Sequence, residues 1–205
     1  MSTIINVIKK IYCRLIYYQK ICIFRWNKYG SNNYKRDSSE IKISHATIKD
    51  IEKLYIDSEM DLKDYDWNTL KEKCMNGIWK AIKAESEGKI VGYVFYSTHE
   101  MSFAGSKALE FSLPKGSAYL FRSFVHPNAR NKGIGKTLEY FRLDCVWKEG
   151  CNSAYGAVNS TNRVSINNCK ILGGEIIGAV HFIKTEYFNV AFRSVCLCLE
   201  NIRCK

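Results

Sequence analysis

The sequence predicts a three-layer α+β domain in which helices flank a mixed, mostly antiparallel sheet. Three observations lead there. Strand-like runs outnumber helical ones and several follow one another directly, as in IWKAIKAESEGKIVGYVFYS, where Glu87-Gly88 marks a hairpin turn. Helical segments after SAYLFRSFV and after NSAYGAV stand where strands need a crossover. The length of 205 residues, 46% of them hydrophobic, suffices for one ordinary core. A leader over residues 1–36 is expected ahead of one domain over residues 37–205.

In the leader, Ile4, Ile5, Ile8, Ile11, Tyr12, Leu15 and Ile16 fall at helical spacing, with Asn6, Lys9, Lys10, Cys13 and Arg14 on the other side. This predicts an N-terminal basic amphipathic helix. Its uncharged runs are too short to span a bilayer, and no small-residue cleavage site marks a signal peptide. Two readings stand open: a helix lying on an anionic membrane surface at its inner face, or one packed on its own domain or on a partner. As an appendage it would be dispensable for folding and for ligand binding.

Past the polar KYGSNNYKRDSSE, residues 41–45 alternate like a strand, and ATIKDIEKLYIDS reads as a helix capped by Thr47 ahead of Ile48, Ile51, Leu54 and Tyr55. WNTLKEKCMNG predicts a shorter helix ending at Gly77, and the Glu87-Gly88 hairpin follows. The irregular stretch of residues 98–117 is the expected selector of substrate. Then come the strand SAYLFRSFV, a helix to about Trp147, a strand near NSAYGAV, a helix from Asn162 to Leu172, and closing strands EIIGAVHFIK and YFNVAFRSVCLCLE.

Composition narrows the function. Nine cysteines are scattered without a C-x-x-C pair, which fits a reducing cytosol, so a cytoplasmic location is expected. Four histidines show no metal-ligand spacing, and no metal is expected. Of 31 basic residues, eight lie in residues 1–36 with no acidic residue among them, leaving 23 basic against 20 acidic from Asp37 onward. The formal charge of +11 is therefore concentrated in the leader, and the main body carries no nucleic-acid footprint. A nucleic-acid role resting on the leader alone is the weakest alternative.

The stretch VHPNARNKGIGKTL, residues 125–138, places two glycines where a strand turns into a helix. A phosphate-binding Walker loop would need glycine where Arg130 stands, and a dinucleotide fingerprint would need a small residue where Leu138 stands. Both fail. What remains is Arg130-x-x-Gly133-x-Gly135, which either opens a helix with two incidental glycines or cradles an anion on main-chain N–H groups.

This segment resembles motif A of the GNAT superfamily of acyl-CoA-dependent N-acyltransferases. Asn162-x-x-Ser165 followed by Leu172-Gly173 resembles the family's second segment, and Asp50 to Leu54 its first helix, so the likeness covers about residues 41–185. The resemblance implies a GNAT-like fold and acetyl-CoA, or another acyl-CoA, as co-substrate. It places the pyrophosphate on Arg130, Asn131, Lys132, Gly133, Ile134, Gly135 and Lys136. It places the pantetheine arm in an opening beside the strand, against the backbone of Phe124 and Val125 and near Asn162.

The implied chemistry is attack by a neutral amine on the thioester carbonyl, with a backbone N–H steadying the oxyanion and an acid protonating the departing thiolate. The family's usual acid, a tyrosine seven residues after the asparagine, is Cys169 here. A thiol serves in principle, although one inside an apolar helix is commonly a packing residue. For a base, Glu110 and Glu100 are the nearest carboxylates by sequence. The expected activity is acetyl or short-acyl transfer to a primary amine on a small molecule or amino sugar. The alternative is a non-catalytic acyl-CoA-binding regulatory module of the same fold.

Overall fold

The computed structural model describes residues 16–28, 41–62, 64–100, 113–185 and 189–195. One eight-stranded sheet runs through it: β1 (Ile16–Asn27), β2 (Lys42–His45), β3 (Lys80–Ser86), β4 (Lys89–Ser97), β5 (Ser117–Val125), β6 (Ser153–Asn159), β7 (Glu175–Thr185) and β8 (Asn189–Val195). The order across the sheet is β2-β3-β4-β5-β6-β1-β7-β8, and every neighbouring pair is antiparallel except β5–β6. Helices α1 (Ile48–Ile56), α2 (Trp67–Met75), α3 (Ile134–Lys148) and α4 (Arg163–Ile171) complete the layers. Among the described residues, no helix is long and apolar enough to cross a membrane.

Local chemistry explains most of the boundaries. Thr47 starts α1 through a reciprocal capping box with Asp50: the Asp50 N–H donates to Thr47 Oγ1 at 3.3 Å, and the Thr47 N–H donates to Asp50 Oδ2 at 2.8 Å. Thr47 also donates its hydroxyl to that carboxylate, and these bonds with Lys83 outweigh burial to hold Asp50 down at about 2. The hairpin between β3 and β4 turns on Glu87 (φ 51°) and Gly88 (φ 74°), the left-handed pair that a two-residue turn requires.

The sheet separates two apolar cores. On one face, α3 and α4 cover Phe24, Trp26, Val94, Tyr96 and Leu120, with Leu138, Val146 and Leu172 among the side chains packed in from above. On the other face, α1 and α2 close over an aromatic layer of Trp79, Tyr93, Phe95, Tyr119 and Phe121, with Ile51, Leu54 and Leu70. The α1–α2 connection reaches the second layer through Met60 and Leu62, and the Tyr93 hydroxyl donates to the Met60 carbonyl at 2.7 Å.

The leader requires a correction. Most of its expected helix, residues 1–15, lies outside the described residues, but Ile16, counted on the helix's apolar face, is the first residue of a strand. β1 runs between β6 and β7 and pairs with both, so residues 16–27 belong inside the sheet rather than to an appendage ending at residue 36. Burial supplies the reason. Cys22, Ile23, Phe24 and Trp26 are consecutive or near-consecutive and each is less than 8% exposed, so both faces of the strand are covered. A strand buried on both faces reads as a continuous apolar run, without the alternation that would reveal it in sequence.

Candidate active site

The site begins at a register break. β5 pairs with β4 as Gly92↔Val125, Tyr93↔Phe124 and Val94↔Ser123, then as Phe95↔Phe121, which leaves Arg122 as the extra residue of a β-bulge. Arg122 adopts φ 49°, the left-handed conformation uncommon for a side-chain-bearing residue. On its other edge β5 pairs with β6 in parallel only from Ser117↔Ser153 to Leu120↔Gly156. Residues 121–125 and 157–159 then continue without pairing to each other, and the two strands part.

The break decides which backbone faces the opening. The His126 N–H donates to the Val91 carbonyl at 2.9 Å, so alternation turns the main-chain groups of Phe124 toward β4 and those of Ser123 and Val125 toward the gap. Of the two residues expected to offer backbone there, Val125 turns its N–H toward the gap, its carbonyl being taken by Arg130 Nε. Phe124 instead contributes its ring, stacked on Tyr93 with centroids 5.8 Å apart and with the Arg130 guanidinium 5.9 Å above it. Ser123, not anticipated from sequence, takes the second backbone position.

Next to the gap stands the N-terminus of α3. Gly133, its cap, has φ 74°, and Asn131 two residues earlier has φ 63°. No side chain caps the helix, so the first-turn N–H groups of Ile134, Gly135 and Lys136 lack intrahelical partners and keep the positive end of the dipole free for an anion. Gly135 matters for space rather than for conformation: a Cβ there would meet only Val125 Cγ2, at 3.7 Å. Ile134 is buried and anchors the turn, whereas Asn131 and Lys132 are exposed. Arg130 folds back, its Nε donating to the Val125 carbonyl at 3.0 Å, which ties the anion loop to the strand end. A cradle of uncapped amides beside an unpaired strand edge fits the pyrophosphate and pantetheine of an acyl-CoA.

Asn162 caps α4, accepting from the Ser165 N–H at 3.0 Å and keeping its own amide NH2 as a donor. Cys169, on α4, packs against the core of the α3 face, and burial pushes its thiol up to about 12, with Glu139 adding to the rise and Arg142 partly offsetting it. Burial of this kind favours the protonated thiol and matches a side chain packed against the core. Cys169→Ala is accordingly expected to change acyl transfer by no more than about threefold, against the hundredfold or greater loss typical of removing a general acid. Thiol release from acetyl-CoA measures it. Glu110 lies outside the described residues. Glu100 accepts from Lys73 Nζ at 2.7 Å and Trp79 Nε1 at 2.8 Å, a structural tie between β4's end, α2 and β3. Among the described residues, no group of three or more histidine, cysteine, aspartate or glutamate side chains is placed to hold a metal ion.

One side of the site went unread in the sequence. The α1–α2 connection carries Asp57, Glu59, Asp61, Asp64 and Asp66, five carboxylates in ten residues, and that density was the available signal. Arg122 reaches this segment from the bulge: it donates to the Asp61 carbonyl, pairs with Asp64 Oδ2 at 3.1 Å and Asp61 Oδ2 at 3.6 Å, and lies 5.4 Å over the Tyr65 ring. His126 makes a second tie, its Nε2 2.7 Å from Glu59 Oε2. The acidic segment is thereby held at the edge of the gap.

An interrupted sheet opening beside an uncapped, glycine-bearing helix start defines the acyl-CoA-dependent transferase class. The acetyltransferase (GNAT) family profile matches residues 43–174, well over half of the chain, and the chain belongs to this family of N-acetyltransferases. Solved structures share the fold at low identity. A protein from Drosophila superposes with a TM-score of 0.62 at 15% identity, over 89% of this chain and 57% of its own. A GCN5-related N-acetyltransferase from Kribbella flavida gives 0.58 at 10% identity, over 97% and 67%. The enzyme AAC(6')-Iy, solved with the bisubstrate analogue CoA-S-monomethyl-acetylneamine, gives 0.52 at 18% identity, over 77% and 100%. The chain thus spans little more than half the length of the Drosophila protein. A search of curated proteins found no match.

Proposed function

We propose that the protein transfers an acetyl, or another short acyl, group from acyl-CoA to a primary amine of a small cationic molecule such as an amino sugar. The observation that carries this reading is the gap between β5 and β6 opening beside the uncapped start of α3. In the transfer the amine nitrogen bonds to the acyl carbon, the carbon–sulfur bond breaks, and the proton released by nitrogen balances the thiolate. The chain's part is to hold the thioester: the amides of residues 131–136 take the pyrophosphate, Ser123 and Val125 offer backbone to the arm, and Asn162 offers its amide. A main-chain N–H facing the gap suits a developing oxyanion.

The acceptor class follows from charge. The carboxylates of Asp57, Glu59, Asp61, Asp64 and Asp66 are all exposed, and among the described residues Arg122 pairs with two of them and His126 with one. Such a rim concentrates cations at the mouth of the gap. A second reading, acyl-CoA binding without turnover, draws on the packed Cys169 thiol where the family keeps an acid. One assay separates the two: thiol release from acetyl-CoA against a panel of amino sugars, polyamines and amino acids. Amine-dependent release with a preference for polycationic acceptors is expected. Coenzyme A binding with a flat response across the panel would transfer support to the binding module.

A further inference from the structure

We propose that His126 is a positioning residue for the anion loop, tying residues 126–133 to the α1–α2 connection so that cofactor affinity depends on Glu59, an inference that rests on the acyl-CoA reading above. Most of the loop's hydrogen bonds close on the loop itself or on the elements it joins. The Ala129 N–H donates to the His126 carbonyl at 2.9 Å, the Arg130 N–H to the Pro127 carbonyl at 3.2 Å, and Arg130 Nε to the Val125 carbonyl at 3.0 Å. The Gly133 carbonyl accepts from the N–H and the hydroxyl of Thr137, within α3. Among the described residues, the hydrogen bonds that leave residues 126–133 for an element other than β5 or α3 all belong to His126. Its N–H donates to the Val91 carbonyl of β4 at 2.9 Å, and its ring Nε2 lies 2.7 Å from Glu59 Oε2.

The ring serves two partners at once. Nδ1 accepts from the Asn128 N–H at 3.3 Å and so starts the short turn Pro127–Ala129 that leads into the loop. In a neutral imidazole the nitrogen that accepts carries no proton, which places the proton on Nε2, where it is donated to Glu59. One tautomer thus shapes the turn and fastens it to the acceptor side.

Packing does not do this instead. An open groove of about 890 Å³ lies between the two parts, with Lys53, Asp57 and Met60 among its lining on one side and Asn128, Lys132 and Ile134 on the other. Among the described residues, hydrogen bonding between the loop and the connection falls to His126 and Glu59, both of which line the groove. The Glu59 side chain is 71% exposed, and an exposed pair of this kind adds little to stability. Its effect is on where the loop sits, and hence on the N–H groups three to five residues further along that face the anion.

The test is calorimetry with coenzyme A on the full-length protein and on His126→Leu, His126→Asn, Glu59→Ala and the His126→Asn/Glu59→Ala pair, with melting curves and nitrogen NMR of the imidazole. Asparagine still accepts from the Asn128 N–H but is too short to reach Glu59. His126→Leu, which loses both bonds, should lower affinity at least about tenfold. His126→Asn and Glu59→Ala, each losing only the tie, should each lower it about threefold, and the pair should lower it no further than either alone, because both act through one bond. Melting temperatures should stay within about 4 °C of wild type, and the neutral ring should carry its proton on Nε2. Unchanged affinity in either single tie variant, effects that add in the pair, or a neutral ring protonated on Nδ1 overturns the proposal, and the exposed Glu59→Ala change decides it even if His126→Leu does not fold. Wild-type protein that fails to bind coenzyme A overturns instead the reading beneath it.

Discussion

Gly135→Val is expected to lower coenzyme A affinity by about a hundredfold or more while leaving the fold intact. The reasoning is spatial. Gly135 sits in the uncapped first turn of α3, where N–H groups converge on the place an anion would occupy. The protein itself leaves that place open, because a Cβ at Gly135 touches only the side chain of Val125, at 3.7 Å. A branched side chain therefore displaces the ligand before it disturbs the protein. Hydrogen bonds to a charged group are worth about 1.5–3 kcal/mol each, so losing about two of them weakens binding by roughly 10²- to 10⁴-fold. Thermal stability should move by only about 2–4 °C, the shift that ~1 kcal/mol produces in a chain of this size. Calorimetry with coenzyme A checks the first claim and a melting curve the second. Equal affinity in a well-folded variant would remove the anion loop from the site.

The strand-to-helix junction was legible in the sequence because it is decided locally. Gly133 starts α3 in the left-handed conformation and Gly135 lies in its uncapped first turn, where the glycine spacing put a helix start. The Thr47 cap and the Glu87-Gly88 turn were readable for the same reason, since each is decided within four residues.

The gap was not legible residue by residue, because it depends on partners far away in the chain. Arg122 became the bulge residue only through the count of pairs between β4 and β5, and that count fixes which of Ser123, Phe124 and Val125 face the opening. Nothing in SAYLFRSFV records it. Arg142 illustrates the same limit from the other side: nothing in EYFRLDCVWKEG marks it as buried, and only the placement of α3 over the Phe95 and Phe121 carbonyls makes it so. Cys169 was open to either role in sequence, and its burial against the α3-side core now favours packing.

The largest departure, the placement of the N-terminal strand, leads to the second strong expectation: a chain starting at Lys28 should not fold. β1 is hydrogen-bonded along both edges, from Ile21↔Asn159 to Asn27↔Ser153 on β6 and from Ile16↔Thr185 to Arg25↔Glu175 on β7. Removing it strands two ladders in the middle of the sheet and deletes the buried side chains of Cys22, Ile23, Phe24 and Trp26. At about 1.5–3 kcal/mol for each buried side chain, the apolar term alone is about 6–12 kcal/mol, comparable to the whole stability of an ordinary domain, roughly 5–15 kcal/mol. The truncated chain should show no cooperative unfolding transition and no coenzyme A binding. A double-mutant cycle in the intact chain tests the same placement without truncation. A Cβ at Gly174 would lie 2.6 Å from both Cε2 and Nε1 of Trp26 and 2.8 Å from the Cys169 carbonyl, so Gly174→Ala should destabilise by about 1–3 kcal/mol. Trp26→Leu removes the indole and leaves only the carbonyl contact, so the two changes together should cost less than their sum by about 1 kcal/mol. If the costs simply add, or if the chain from Lys28 melts cooperatively, Trp26 does not pack against the α4–β7 turn and β1 does not lie between β6 and β7.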